Sequence, residues 1–278
     1  MWAAWLRSRR DGGSVEQREH MLRLLAPVRD KILDDAEVGP GVTVLDVGCG
    51  DGLVGLGALE RGADVIFSDI SEACLDDCRA IAGDAAHYHS APATDLGDIE
   101  ADVVTTRSVL IYVDDKQRAF DEFFRVLRPG GRLSIFEPIN RFGMDERRCD
   151  FGFDDVAGVE DLLARVWRRE EDAGVNDAMV DFDERDLFAH ALRAGFRDVR
   201  MELRAEVRPE AMWQMCDWDV FVNSSPNPLL PTFAEAMDTA LTPDEVARLT
   251  EKLRPQVEAG RGTTRLARCW LVARKGEG

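Results

Sequence analysis

Between residues 42 and 138, short apolar runs rich in β-branched residues alternate with longer segments that mix apolar and polar residues. This alternation is typical of repeated βα units, in which parallel strands are buried and helices cover the sheet. The runs predict five strands. They cover Val42–Val47, Ala63–Asp69, a weaker segment at His87–Ala91, Ala101–Arg107 and Gly131–Pro138.

Helical periodicity fills the gaps between these strands. One helix is expected to begin near Leu53, and a second to run from Ser71, its expected N-cap, to Gly83. Before the fifth strand, apolar residues recur at spacings of three and four, which predicts one buried helical face that ends before Pro129. Its members are Phe120, Phe123, Phe124 and Leu127.

The same alternation resumes near the C-terminus. A helix is predicted at 184–194, stopping at Gly195, and strands are predicted at 198–207 and 265–275. Three segments lie outside the alternation, at about 2–35, 141–180 and 209–260. The last contains a well-formed helix start, in which Thr242 is the expected N-cap of a capping box.

The charge balance is strongly acidic. Lys and Arg total 35 against 53 Asp and Glu, which gives a formal net charge of -18. Such a chain repels phosphate backbones and anionic lipids, so we expect neither nucleic acid nor a membrane as partner. The opening MWAAWLRSRRDGG fits no secretory or twin-arginine signal, because its arginines follow the apolar part. Six scattered cysteines without zinc-site spacing complete the prediction of a cytoplasmic protein without a metal.

The stretch LDVGCGDG, residues 45–52, follows the first predicted strand as ligand-cradling loops do in nucleotide-binding folds. A phosphate-binding P-loop requires Lys followed by Ser or Thr, and this loop has neither. A dinucleotide fingerprint requires glycine where Leu53 stands, and Asp46 and Asp51 would repel a pyrophosphate. The loop therefore favours a ligand with an ammonium or sulfonium cation and no phosphate. Its glycines are Gly48, Gly50 and Gly52.

Several motifs in order resemble the class I S-adenosylmethionine-dependent methyltransferases. They are VLDVGCGDG, FSDIS, ADVVTTRSVLIYV, RVLRPGGRLSIFEP and ALRAGFRDV. The resemblance implies an α/β fold with a Rossmann-like seven-stranded sheet, mostly parallel with the last strand antiparallel, helices on both faces and a helical lid. It also implies S-adenosyl-L-methionine as cofactor, with S-adenosyl-L-homocysteine as product.

The resemblance assigns cofactor contacts to residues at the ends of the predicted strands. The three loop glycines would let the backbone approach the methionine part, and Asp46 would support the loop and the ammonium group. Asp69 would accept hydrogen bonds from the ribose hydroxyls, with Ile70 against the adenine. The usual acidic residue after the third strand is missing, and Thr94 or Asp95 takes its place in the prediction. Arg107 and Ser108 complete the set.

Candidate catalytic and substrate residues follow from position at strand ends and from aromatic character. Arg107 and Tyr112 are the catalytic candidates, since Arg107 could hold a carboxylate of the cofactor or of a substrate. The substrate candidates are Trp5, Glu137, Asn140, Arg141, Trp213 and Trp218. For the aromatic segment 210–223, a pocket wall and a helix packed in the core are equally compatible with the pattern.

The chain is thus predicted to be one methyltransferase domain over 1–278 that methylates a small molecule. It would comprise an N-terminal helical cap (1–40), a cofactor-binding core (41–140), lid or substrate insertions (141–180 and 208–260) and the remaining core (181–207 and 261–278). A cofactor-binding sensor or partner subunit without turnover, and a methyltransferase with a protein or peptide acceptor, are the alternatives. A dehydrogenase is disfavoured by Leu53 and the acidic loop.

Overall fold

A computed structural model describes residues 1–142, 151–153, 156–172 and 177–277. Parts of the predicted insertion 141–180, and Cys149, lie outside these ranges. The strands are β1 (Thr43–Val47), β2 (Asp64–Asp69), β3 (Ala86–Ser90), β4 (Ala101–Arg107), β5 (Leu127–Pro138), β6 (Arg197–Arg208) and β7 (Thr264–Arg274).

All seven strands belong to one sheet in the order β3-β2-β1-β4-β5-β7-β6. The pairs β1–β2, β2–β3, β1–β4 and β4–β5 are parallel, and β7 runs antiparallel to β5. The predicted seven-stranded, mostly parallel sheet with an antiparallel last strand is confirmed. The chain leaves β3 and re-enters the sheet on the other side of β1, which makes the β1–β4 boundary a topological switch point.

Helices flank the strands in the described ranges. They are α1 (Trp2–Ala4), α2 (Val15–Asp35), α3 (Leu53–Glu60), α4 (Glu72–Ala82), α5 (Lys116–Val126), α6 (Glu160–Asp172), α7 (Glu184–Ala194), α8 (Trp218–Asn223), α9 (Phe233–Ala240) and α10 (Pro243–Glu258). Within those ranges, no helix combines the length and apolar character that crossing a bilayer requires.

Two local expectations need correction. Leu127 is not on the buried face of α5, because it begins β5 with an extended backbone. The physical reason is Pro129, which disfavours helical geometry at the residue before it, so the helix stops early. Ser71 does occupy the N-cap of α4, but its side chain makes no capping hydrogen bond. By contrast, the capping box at Thr242 is confirmed, with Glu245 closing it.

The chain divides into two compact units. The sheet unit comprises residues 25–141, 177–204 and 267–278, and the helical unit comprises residues 1–24, 142–176 and 205–266. The core of the sheet unit includes buried side chains of α2, β1 and β2, among them Ile32, Leu45 and Phe67. Glycine at position 55 lets α3 approach this core, since an added Cβ would lie 2.2 Å from the Phe67 ring.

The helical unit has an aromatic core of its own. Phe221 of α8 is fully buried, and its ring centroid lies 4.6 Å from that of Phe233 and 5.2 Å from that of Phe153. Trp218 packs against the same ring at 5.7 Å. Burial of this many aromatic groups supplies the hydrophobic free energy for a compact unit.

Candidate functional site

The carboxyl ends of three neighbouring strands create the site. Val47 at the end of β1 pairs with Ser68 of β2 on one side and with Thr106 of β4 on the other. Because these strands are parallel, the loops that follow them emerge at the same edge of the sheet. Open α/β sheets bind ligands at such an edge, at the switch point between strands.

The glycine loop after β1 has a backbone that favours glycine at each of its three positions. Gly48, Gly50 and Gly52 have φ values of +66°, +55° and +79°. An added Cβ at Gly48 would lie 2.5 Å from Val109, and one at Gly52 would lie 3.0 Å from the Cys78 sulfur. Packing inside the protein therefore requires glycine at these two positions, and the expected reason, space for a ligand, is not needed to explain them.

Asp46, in β1 just before this loop, ties β1 to β4 and to α3. Its buried carboxylate accepts a hydrogen bond from Thr105 Oγ1 at 3.0 Å and from the Gly55 N–H of α3 at 2.9 Å. Burial raises the pKa of Asp46 to about 7, although both hydrogen bonds and the Arg107 charge oppose the shift. Both the expected support of the glycine loop and the expected contact with a ligand ammonium group stay predictions.

Asp69 joins the end of β2 to the glycine loop. Its Oδ2 accepts the Gly50 N–H at 3.0 Å, and its Oδ1 accepts the Ser71 N–H at 2.8 Å. Burial raises the pKa of Asp69, while these backbone donors partly offset the effect. Each carboxylate oxygen can accept more than one hydrogen bond, so Asp69 retains capacity for ligand hydroxyls. Ile70, directly after it, is 59% exposed, which leaves a large apolar side chain uncovered at this edge.

The loop after β4 begins with a charged residue and a strained one. Arg107 Nη2 lies 3.9 Å from Asp51 Oδ1 of the glycine loop. Ser108 has φ of +58°, an uncommon value for a residue with a side chain, and its N–H donates to the Phe136 carbonyl at 2.8 Å. Such backbone strain at a strand end is common in ligand sites.

Glu137 holds this loop from the neighbouring strand. Its Oε1 accepts the N–H groups of Val109 and Leu110 at 2.9 and 3.0 Å, and its Oε2 accepts that of Ile111 at 3.3 Å. Burial raises the pKa of Glu137 to about 7, against these three donors and the charge of Lys116. The side chain is 0% exposed and positions the loop through these hydrogen bonds, and its expected contact with a substrate stays a prediction.

Lys116 clamps the far end of the same loop. Its buried Nζ donates to the Val113 carbonyl at 3.1 Å, to the Ala178 carbonyl at 2.9 Å and to Asp181 Oδ1 at 2.7 Å. The sequence does not predict this role for Lys116, because a lysine at the start of a helix is expected to be exposed to solvent. The only local indication in the sequence is that Val113, whose carbonyl group Lys116 contacts, precedes it by three residues.

Tyr112 lies within the clamped segment. Burial and the nearby Glu137 carboxylate raise its pKa above the usual range, and Arg107 opposes the shift. At neutral pH the phenol is therefore protonated and suited to donating a hydrogen bond rather than removing a proton.

The turn after β3 carries the two residues expected near the adenine. Asp95 donates its N–H to the Pro92 carbonyl at 3.0 Å and exposes its side chain. Thr94 is half-buried, and its carbonyl accepts from Arg118 Nε at 3.1 Å. The turn follows the parallel strand next to β2, so it emerges at the ligand edge, and the adenine contact stays a prediction.

The remaining substrate candidates fall into two groups. Asn140 and Arg141 follow β5, the first half-buried and the second exposed. Trp5, Trp213 and Trp218 belong to the helical unit.

Within the helical unit, the three tryptophans differ in their surroundings. Trp5 Nε1 donates to the Ser225 carbonyl at 2.9 Å. Trp213 has φ of +58° and packs edge-on against Phe151. Trp218 is buried in the aromatic core, as the core interpretation of that segment expects, and a contact with substrate stays a prediction.

Comparison with known proteins identifies the domain. Residues 45–135 match the family model described as a methyltransferase domain. The chain is 37% identical over 117 residues to an uncharacterized protein of Mycobacterium tuberculosis, covering 40% of this chain and 43% of that protein. It is 35% identical over 126 residues to a ubiquinone biosynthesis O-methyltransferase of Hahella chejuensis, covering 43% of this chain and 52% of the relative. The chain thus spans about half the length of the curated relatives it matches.

A solved structure extends the likeness beyond the matched segment. Geranyl diphosphate C-methyltransferase from Streptomyces coelicolor, in complex with Mg²⁺, geranyl-S-thiolodiphosphate and S-adenosyl-L-homocysteine, has a TM-score of 0.52 at 15% identity. The match covers 91% of this chain and 77% of that one, and at this identity it shows the fold alone. The sheet order and the family match together indicate that residues 45–135 lie in a class I S-adenosylmethionine-dependent methyltransferase domain.

Proposed function

We propose that this protein transfers a methyl group from S-adenosylmethionine to a small organic molecule. The observation that carries the proposal is the acidic glycine loop at the switch point. Asp46, Asp51 and Asp69 surround a turn that has no lysine and no Walker-type hydroxyl. This set of groups suits a ligand that combines a cation with a diol, and it opposes a pyrophosphate.

Particular residues fit particular parts of the cofactor. Asp69 would receive the ribose hydroxyls on its remaining lone pairs, and the exposed Ile70 would cover one face of the adenine. Arg107 would hold a carboxylate of the cofactor or of the substrate. When bound, the cofactor supplies an electrophilic methyl group on a sulfonium centre with a neutral leaving group.

The protein contributes mainly by aligning the cofactor and the acceptor. The two titratable groups nearest the end of β4, Tyr112 and Glu137, are poorly placed to remove a proton. Tyr112 has a raised pKa and stays protonated at neutral pH. Glu137 has a pKa suited to a base, about 7, but its side chain is fully enclosed by the loop that it holds. Holding acceptor and donor in line in a site without water can supply much of the acceleration of a displacement.

A small-molecule acceptor is favoured by charge and by the relatives. The net charge of -18 disfavours nucleic acid. The names of two similar proteins specify ubiquinone biosynthesis and geranyl diphosphate, both of them small-molecule chemistry. The acceptor class is therefore part of the proposal, and the acceptor atom is left open.

The proposal is tested by methyl transfer. The protein is incubated with methyl-labelled S-adenosylmethionine and separate pools of phenols, amines, thiols and acidic metabolites, and with a protein extract. Labelled small-molecule product that disappears in Asp69→Ala supports the proposal. If label appears only in the protein extract, the acceptor is a protein and not a small molecule. If the cofactor binds but no pool becomes labelled, the protein is better described as a sensor.

The matched control is Asp76→Ala, which removes an exposed carboxylate from α4. Asp69→Ala removes a charged acceptor, so we expect it to weaken cofactor binding by about 10–100-fold, the equivalent of roughly 1.5–3 kcal/mol. Asp69→Asn should lose less affinity for the cofactor, because the asparagine side chain keeps one oxygen acceptor. Equal affinities in all three variants would remove Asp69 from the site.

A further inference from the structure

Strand β6 is an edge strand that the rest of the protein covers only in part: Lys31 of α2 lies 3.1 Å from Glu202, and Arg204 lies over the Trp270 ring of β7. It is the outermost strand of the sheet, it is 12 residues long, and none of its residues is buried. Apolar and charged residues nevertheless alternate along it, as in strands with one covered face. Leu203 and Val207 on the apolar face are 42% and 62% exposed.

The two faces of β6 are sharply different. The apolar face presents Val199, Met201, Leu203, Ala205 and Val207. The other face presents charges of alternating sign, in the order Asp198, Arg200, Glu202, Arg204, Glu206 and Arg208. A free strand edge is a template for pairing with another chain, and edges that natural proteins protect carry charges that repel a copy. Charges of alternating sign repel a second copy of the strand only in some pairing registers.

One antiparallel register of β6 with a second β6 matches both faces. In such a pair, directly opposite residues share a face, and opposite charges there attract. When the two-fold axis passes through Leu203, each charge meets its opposite, and apolar residues meet apolar residues. The facing pairs are Asp198 with Arg208, Arg200 with Glu206, Glu202 with Arg204, Val199 with Val207, Met201 with Ala205, and Leu203 with itself.

Neighbouring registers are worse. Centring the pair on Glu202 or Arg204 sets like charges opposite each other, because Arg200 then meets Arg204 or Arg208. Centring it between two residues sets apolar side chains against charged ones. Centres at Met201 or Ala205 match the charges but overlap fewer residues of the strand. The Leu203 register is therefore the longest one that satisfies both faces.

We infer that β6 is a dimer interface, and that its partner is the β6 strand of a second copy of this chain. The pairing would join two seven-stranded sheets edge to edge, satisfy the free edge of each β6 and set the two apolar faces side by side. The argument for a copy over another protein is self-complementarity: the order of charges in β6 matches its own reverse. The inference does not depend on the methyltransferase activity.

The test measures the mass and the dimer dissociation constant of the full chain by sedimentation equilibrium at low salt. The wild type should reach twice the monomer mass of 31.0 kDa. Arg200→Glu should weaken dimerisation at least about tenfold, since two attractive pairs become repulsive. The double variant R200E/E206R restores opposite charges and should recover most of the wild-type affinity.

A second variant keeps the test independent of these charges. Leu203→Lys would set two ammonium groups together on the two-fold axis and should give a monomer with an unchanged circular dichroism spectrum. Leu192→Lys is the control, since Leu192 is exposed as well, at 52%, but lies on α7. A wild type that stays monomeric at every concentration, or a dimer that R200E and L203K leave unchanged, would overturn the inference.

Discussion

The buried carboxyl group of Glu137 should make part of the folding stability depend on pH, and Glu137→Gln should abolish that dependence. Glutamine has the shape of glutamic acid, keeps one oxygen for the N–H groups of Val109 and Leu110, and does not titrate. The comparison of the two proteins therefore isolates one proton. The sign follows from the pKa of Glu137, which burial raises to about 7 from a usual 4.5.

The magnitude follows from linkage between protonation and folding. Because the folded pKa is raised, the folded state binds more protons than the unfolded state between about pH 4.5 and 7. The stability from this group is fully present below pH 4.5 and is lost as the pH rises to 7. Between pH 5 and pH 8, the wild type should lose about 2–3 kcal/mol through Glu137 that the glutamine variant keeps.

The assay is urea unfolding of both proteins at several pH values from 5 to 8. The free energy of unfolding of E137Q minus that of the wild type should rise by about 2–3 kcal/mol over this range. Other titrating groups, Asp46 among them, are present in both proteins and cancel in the difference. Glu251→Gln, at an exposed position of α10, controls for the loss of one negative charge. A difference that stays constant with pH would refute the reasoning, because the three N–H donors would then outweigh burial.

Two further predictions concern backbone geometry. Gly48→Ala should destabilise the fold by about 1–3 kcal/mol and weaken cofactor binding, since φ is +66° and the new methyl group would meet Val109, whereas Gly39→Ala, with open space around it, should not. Equal unfolding midpoints for these two alanine variants would contradict the packing argument. Asp183→Ala should cost about 1 kcal/mol in urea unfolding, because Asp183 closes a capping box on α7. Ser71→Ala removes an N-cap residue without a capping hydrogen bond and should cost less.

The middle of the sheet could be predicted from the sequence because β1, β2 and β4 are largely buried. Such strands read as apolar runs, and the predicted strand ends at Asp69 and Arg107 are confirmed. The sequence pattern predicts a helix before β5 that extends one residue too far, to Leu127. Its apolar spacing continues to Leu127, and the restriction that Pro129 places on its neighbour outweighs that periodicity.

Roles that depend on tertiary packing could not be predicted. Glu137 and a substrate-binding glutamate look alike in sequence, because only the folded loop brings three N–H groups to its carboxylate. Trp218 is similar, since an aromatic residue beside acidic ones fits a pocket wall and a core equally well. The role of Lys116 could not be predicted, because two of its three oxygen partners, on Ala178 and Asp181, are 62 and 65 residues away in the chain.

The central claim is that a glycine turn edged by carboxylates selects a phosphate-free cation. Isothermal titration calorimetry at neutral pH tests it with S-adenosylmethionine, S-adenosylhomocysteine and NAD. Saturable binding of the first two and none of the dinucleotide is the expected result. Heat with NAD and none with either sulfur compound would contradict the account.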